Sequence, residues 1–203
     1  MKGILNKKYL LLIFLIVLFI LDLTLVISGN TEVFDNTIYL LVRNFNNVYF
    51  DNFFKFITVF GNPMSVIVIL IILNIFLSRK NALMCDVLSL TSVITNFILK
   101  NIIMRDRPHV ERLIKQGGYS FPSGHAMISI MLYGYLFYLV SKYITNKKIK
   151  ILLQIFILLF IFCLCISRIY VGVHFATDVI GGILLGLFLL IIILSYQDKL
   201  GGE

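Results

Sequence analysis

The sequence predicts an all-α, polytopic membrane protein whose six transmembrane helices pack as one bundle. Three observations predict it. First, 60% of the 203 residues are hydrophobic and the mean hydropathy is +0.98, well above the soluble range. Second, six apolar runs approach the roughly 20 residues that a spanning helix needs: 9–27, 56–77, 82–104, 125–144, 151–167 and 175–196. Third, the basic residues cluster in alternate loops, as in a multi-pass chain of fixed orientation. The runs are continuous rather than alternating, which argues against a water-filled barrel. The loops are brief, so residues 1–203 read as a single integral membrane domain.

The first run exceeds the 7–15 apolar residues of a signal peptide, and no small-x-small cleavage site follows near Ser28 and Gly29. It reads as a retained helix. Asp22 within it is costly at mid-membrane; counted from Lys7 and Lys8, it lies toward the opposite face, where an interfacial place suits it better than catalysis. Residues 28–55 are long enough for a short surface helix, since Phe34, Ile38, Leu41, Val42 and Phe45 recur at helical spacing. Such a helix lies along the outer interface, with a lid as its functional alternative. Asn62-Pro63 marks a kink or ragged start of the second span.

The third span carries a polar stripe. Ser89, Ser92, Asn96 and Lys100 follow at three or four residues and share one face, which lipid turns inward toward other helices. The fourth span opens at Pro122-Ser123-Gly124-His125, with proline in the first turn. The fifth run is short but within the spanning range. The sixth carries Gly182-x3-Gly186, a small-residue pattern that lets helices approach closely and holds His174 and Asp178 rigid.

The net charge of +8 does not indicate nucleic acid. Lys2, Lys7 and Lys8 precede the first span, Arg79 and Lys80 fill the second loop, and Lys142, Lys147, Lys148 and Lys150 fill the fourth. These share one side, which the positive-inside rule makes cytoplasmic together with both termini. One loop departs from the pattern. Arg105, Arg107, Arg112 and Lys115 lie between the third and fourth spans, on the outer side, and exported cations suit anion binding. Arg105 and Arg112 divide evenly between substrate and headgroup contact, and His109 reads as an ordinary loop residue. Cys85, Cys163 and Cys165 fall in apolar runs and read as small hydrophobes.

The chemistry concentrates at span ends. His174 and Asp178 are four apart, so the carboxylate reaches one ring nitrogen and leaves the other free to attack. At Pro122-Ser123-Gly124-His125, the free N–H groups of a helix start bind anions. Gly124 lets a phosphate close to the backbone, Ser123 adds a donor, and His125 stands ready to protonate a leaving oxygen. Lys100 and Arg107, seven apart, read as two turns on one helix face that Pro108 closes. With Arg168 they form three cations fit for an in-line phosphoryl transition state. Metal ligands do not cluster in the sequence, and no cofactor is implied.

These stretches, Lys100-x6-Arg107-Pro108, Pro122-Ser123-Gly124-His125 and Ser167-Arg168-x5-His174-x3-Asp178, resemble the type 2 phosphatidic acid phosphatase superfamily. That family also includes lipid phosphate phosphatases and vanadium haloperoxidases. Every fixed position of its pattern is met, and the six-span plan extends the likeness over nearly the whole chain. The resemblance implies that His174 is a nucleophile forming a phosphohistidine, with Asp178 as its orienting partner. It implies that His125 protonates the leaving group and later activates water. Lys100, Arg107, Ser123, Gly124 and Arg168 would bind phosphoryl oxygens, without a metal.

The expected activity is therefore hydrolysis of a terminal phosphate from a membrane lipid, at a site facing outward. Small bacterial members of this plan look like phosphatidylglycerophosphate or undecaprenyl pyrophosphate phosphatases, and an outward site slightly favours the polyprenyl carrier. The rivals are a phosphotransferase with an alcohol acceptor and a lipid-binding or transport protein with a vestigial site. The expected partners are the bilayer and the phosphorylated lipid, with no nucleic acid; oligomeric state is not legible.

Overall fold

The fold is that of a computed structural model, which describes residues 2–200 and the side chains of residues 7–196. Met1, residues 201–203 and the Lys2 side chain, which entered the domain and charge readings, lie outside the described residues. Every regular element described is helical. In order these are α1 (Lys2–Ile27), α2 (Glu32–Arg43), α3 (Val48–Thr58), a 3-10 turn (Val59–Gly61), α4 (Pro63–Phe76) and α5 (Arg79–Ile103). Then come α6 (Gly124–Ile128), a π-helical turn (Ser129–Tyr133), α7 (Gly134–Tyr143), α8 (Lys147–Tyr170) and α9 (Ala176–Leu200).

Among the described residues, five segments are long and apolar enough to cross a bilayer: Lys7–Ile27, Arg79–Ile103, Gly124–Tyr143, Lys147–Tyr170 and Ala176–Tyr196. A sixth exists if the pair Val48–Gly61 and Pro63–Phe76, bent by 61°, counts as one. The second span is thus not the unbroken helix expected over 56–77. α4 has 14 residues, about 21 Å at 1.5 Å per residue, short of a roughly 30 Å hydrocarbon layer. α3 supplies the remainder across an elbow at Gly61-Asn62-Pro63, where proline begins α4.

The α6–α7 span is the centre of the bundle, more than half buried where the other four are a third or less. Leu10, Phe76, Phe97 and Leu152 expose their side chains on the outer helices, as a bilayer solvent requires. α9 packs closely on the centre through its glycines. A Cβ on Gly182 would stand 2.6 Å from the Ser123 carbonyl oxygen, and one on Gly186 3.1 Å from Ile130 Cβ. The glycine pair is therefore the packing device its spacing suggests.

Four boundaries differ from the sequence reading. Pro122 lies outside the helix; Ser123 is the N-cap and Gly124 the first helical residue. α8 has 24 residues, a full span. α5 stops at Ile103 because Met104 takes the left-handed conformation, φ 53°. Lys100 and Arg107 therefore do not share a helix face, since Arg107 sits in the 104–123 loop. The outer segment forms two helices instead of one. Ile38 and Val42 of α2 pack on the core while Phe34, Leu41 and Phe45 remain exposed. The α2–α3 pair is fastened to α8 by Asp51, which accepts from Tyr170 Oη at 2.7 Å and pairs with Arg43 at 3.2 Å.

Candidate active site

The site forms where the C-terminal ends of α5 and α8 meet the N-terminal ends of α6 and α9. Short-range rules place its pieces. Ser123 caps α6, accepting from the Ala126 N–H at 3.5 Å, and its own N–H donates to the Asp178 carbonyl at 2.8 Å. One main-chain bond thus fixes the α6 start against the α9 start. Asn96, on the polar stripe of α5, donates to the Pro122 carbonyl at 2.9 Å. Ser89 and Ser92 of that stripe are buried, as a lipid environment directs.

His174 is 3% exposed, with Nδ1 3.3 Å from Asp178 Oδ2 and 3.3 Å from Ser120 Oγ. The Asp178 carboxylate also accepts from the Ser120 hydroxyl, from the Phe175 N–H at 2.8 Å and from Arg105 Nη1 at 2.6 Å. A carboxylate so fully supplied with donors remains an acceptor, which assigns the ring proton to Nδ1 and the lone pair to Nε2. Burial pushes the imidazole pKa down to about 3, against the upward pull of Asp178. The ring is neutral at physiological pH, with Nε2 available as a nucleophile.

The cations gather along the segment beside His174, and Arg107 reaches that nitrogen. Arg107 Nη1 lies 3.3 Å from His174 Nε2 and donates to the Val173 carbonyl at 2.6 Å. Its other nitrogens donate to the carbonyls of Gly117, Gly118 and Tyr119. Burial lowers its pKa to about 10, so it stays charged. Lys100 donates to the Tyr119 and Ser120 carbonyls. Arg168, fully buried, donates to Thr58 Oγ1 at 2.5 Å and to Gln116 Oε1 at 3.0 Å, while its Nε has no partner among the described residues. Thus three cations are held by neutral oxygens, most of them from segment 116–120. Among the described residues, no carboxylate forms an ion pair with any of the three. An open depression of about 710 Å³, lined by Arg112 to Gly117, adjoins this segment.

His125 is buried, its Nε2 3.0 Å from Asn62 Oδ1. Gly124 faces Asn96, whose Oδ1 would lie 2.9 Å from a Cβ there. His109 is exposed on the loop. No group of three His, Cys, Asp or Glu residues suited to a metal is found among the described residues. Cys85 and Cys165 are buried and Cys163 half-buried, all without disulfides.

Other residues take roles that the sequence reading did not give them. Arg105 does not point at lipid headgroups: besides Asp178 it donates to Thr177 Oγ1 at 2.8 Å, Asp35 Oδ2 at 2.8 Å and Thr31 Oγ1 at 3.0 Å. Asp35, buried on α2, accepts from the Thr177 N–H at 2.9 Å and so caps α9 from outside. Arg112 folds back onto the Pro108 carbonyl. Asp22 is buried against Gly181 rather than placed at an open interface, with Oδ2 unpartnered among the described residues. Thr58, Asn62, Gln116 and Ser120 reach the site from segments with no periodic signal. Only the polar Asn62-Pro63 pair inside an apolar run marked one of them.

Fold and site together define a multi-pass helical membrane protein with a neutral, oriented histidine among cations. The family model of the PAP2 superfamily matches residues 82–201, and the chain belongs to that superfamily. Phosphatidylglycerophosphatase B of Bacillus subtilis is 36% identical over 111 residues, 54% of this chain and 55% of that protein. The alignment therefore spans about half the length of that relative. Undecaprenyl-diphosphatase BcrC of the same organism is 28% identical over 165 residues, 76% of this chain and 79% of that one. Among solved structures, the first transmembrane PAP2 type phosphatidylglycerolphosphate phosphatase from Bacillus subtilis matches with TM-score 0.84 and 27% identity. That match covers 93% of this chain and 96% of the other.

Proposed function

We propose that the chain is a membrane lipid phosphatase working through a phosphohistidine. One observation carries this reading: Arg107 lies 3.3 Å from the free nitrogen of His174, Lys100 and Arg168 are held beside it by segment 116–120, and no described carboxylate forms an ion pair with any of the three. Three uncompensated cations at a nucleophile suit a phosphate dianion.

The lipid phosphate displaces carbonyl oxygens of segment 116–120 from the cations. His174 Nε2 attacks phosphorus; the P–N bond forms as the bond to the lipid oxygen breaks. His125 gives that oxygen a proton, and Asp178 stabilises the charge on the imidazole ring. Water then attacks the phosphohistidine, giving its proton to His125, and phosphate leaves as His174 returns to neutrality. Lys100, Arg107 and Arg168, with the Ser123 hydroxyl and the main chain at Gly124, hold the phosphoryl oxygens. Charge in the transition state is met by these groups, so no metal is invoked.

The site faces the outer side and both termini the cytoplasm. Arg79, Lys80, Lys142, Lys147, Lys148 and Lys150 lie at the opposite ends of their helices from the site, which supports this orientation. The substrate is a phosphatidyl-type lipid phosphate or an isoprenoid pyrophosphate. The similarity to phosphatidylglycerophosphatase B supports phosphatidylglycerophosphate as the first lipid to test, beside the polyprenyl carrier that an outward site slightly favours. The test is phosphate release from each lipid by detergent-purified protein in chelator, beside a His174→Ala control. Release dependent on His174 supports the reading, and release that persists in His174→Ala refutes it. A labelled phosphohistidine without release would indicate transfer to an alcohol acceptor.

A further inference from the structure

The elbow between α3 and α4 belongs to no motif, yet it is built around His125. A Cβ on Gly61 would stand 2.3 Å from His125 Cδ2 and 2.8 Å from Cγ, so only glycine admits the ring here. Asn62 Oδ1 lies 3.0 Å from His125 Nε2. Thr58, one turn earlier, accepts from Arg168 at 2.5 Å. The Phe60 carbonyl accepts from Tyr133 Oη at 2.9 Å, fastening the elbow to the π-helical turn that follows His125. Asn62 also occupies the N-cap of α4, where an asparagine ordinarily accepts from its own helix. It makes no such capping bond. Its side chain serves the histidine instead of the helix.

We infer that Asn62 is a positioning residue acting through His125 in the departure of the lipid oxygen. This rests on the phosphohistidine reading. The Asn62 oxygen accepts the Nε2–H of His125, so the ring's rotation and the proton on that nitrogen are set before substrate arrives. In the step concerned, His125 takes a proton from solvent on Nδ1 as the phosphate binds. The His174 N–P bond forms, the P–O bond to the lipid breaks, and the Nδ1 proton goes to the lipid alkoxide while Asn62 keeps the Nε2–H. Without the amide the ring turns freely and its charged form loses an acceptor, so fewer molecules hold an Nδ1 proton toward the leaving oxygen. The consequence depends on the leaving group. An alkoxide needs that proton; a nitrophenolate, already stable as an anion, does not.

The experiment measures kcat/KM, which reports the steps through P–O cleavage, for phosphatidylglycerophosphate and p-nitrophenyl phosphate. Wild type, Asn62→Ala, Asn62→Asp and His125→Ala are compared in detergent, with melting temperature followed for each. Asn62→Ala is expected to lose about tenfold on the lipid, a part of the 10²–10⁴ that positioned proton transfer contributes. The loss on the aryl phosphate should be under twofold. Asn62→Asp keeps the acceptor and should restore the lipid rate toward wild type. In the His125→Ala background, Asn62→Ala should add nothing. Equal losses on both substrates, or no loss on the lipid, overturn the inference. Wild type inactive on both, or His174→Ala still active, would instead overturn the phosphatase reading. If Asn62→Ala fails to fold, Gly61→Ala, which displaces the ring directly, should show the same leaving-group dependence, and its absence is equally fatal.

Discussion

Arg105 gives the sharpest test of how the site is held. Its guanidinium bridges Asp178 at 2.6 Å and Asp35 at 2.8 Å, and both carboxylate side chains are wholly buried. Removing one partner from a buried ion pair costs about 3–5 kcal/mol, because an uncompensated charge remains. Here two carboxylates lose their common cation, so Arg105→Ala is expected toward the upper end. At about 2–4 °C per kcal/mol for a chain of this size, the melting temperature should fall by roughly 10–20 °C. Thermal unfolding in detergent at constant scan rate measures this. Arg105→Ala with Asp35→Asn should recover part of the loss, since one stranded charge is gone. Turnover should fall too, because Asp178 loses the donor that fixes its Oδ1 while Oδ2 faces His174. A variant with unchanged melting temperature and weakened lipid affinity would refute this reasoning and return Arg105 to the role of a headgroup contact.

Three further outcomes are expected. Arg168→Ala should lower kcat by a factor corresponding to about 3 kcal/mol, as for loss of one transition-state donor; an effect confined to KM would contradict that role. Stability should depend on pH through His174. Its folded pKa of about 3 lies below the unfolded value near 6.5, so the unfolded chain binds the extra proton between these values. This contribution is fully present above pH 6.5 and is lost as pH falls toward 3, at about 1.4 kcal/mol per pH unit for one proton. A His174→Gln variant with an unchanged acid limb in its melting curve would show the source to be elsewhere. Gly182→Ala should destabilise by about 1–3 kcal/mol through overpacking, since its Cβ would press on the Ser123 carbonyl at 2.6 Å. It should also slow turnover by parting α6 from α9, and equal rates in Gly182→Ala and wild type would show that this contact does not set the site.

The spans and the three motif stretches are legible in the sequence because the forces behind them are local. Hydrophobicity sustained over about 20 residues reads as a membrane helix whatever it packs against. A histidine four residues before an aspartate reaches it at one helix start, and Asp178 does lie 3.3 Å from His174. The inward stripe from Ser89 to Lys100 follows from helical periodicity alone. Boundaries were less legible. Met104 in the left-handed conformation and Asn62 without its capping bond each obey a tertiary demand over a local preference, so the Lys100–Arg107 face and the unbroken second span did not survive.

What only the tertiary structure decided is the partnering of charges and polar groups across the bundle. Arg105 finds Asp35 across 70 residues, and His125 finds Asn62 across 63. No periodicity joins residues so separated, because they meet only once α1 to α9 have packed. The Arg105 guanidinium takes the two carboxylates that packing brings within reach, whereas buried Arg107 and Arg168 are met by neutral oxygens. The sequence by itself determined that cations, histidines and a carboxylate gather at one end of a membrane bundle. Packing decided which cations are neutralised, as Arg105 is by Asp35 and Asp178, and which three remain free for a phosphate.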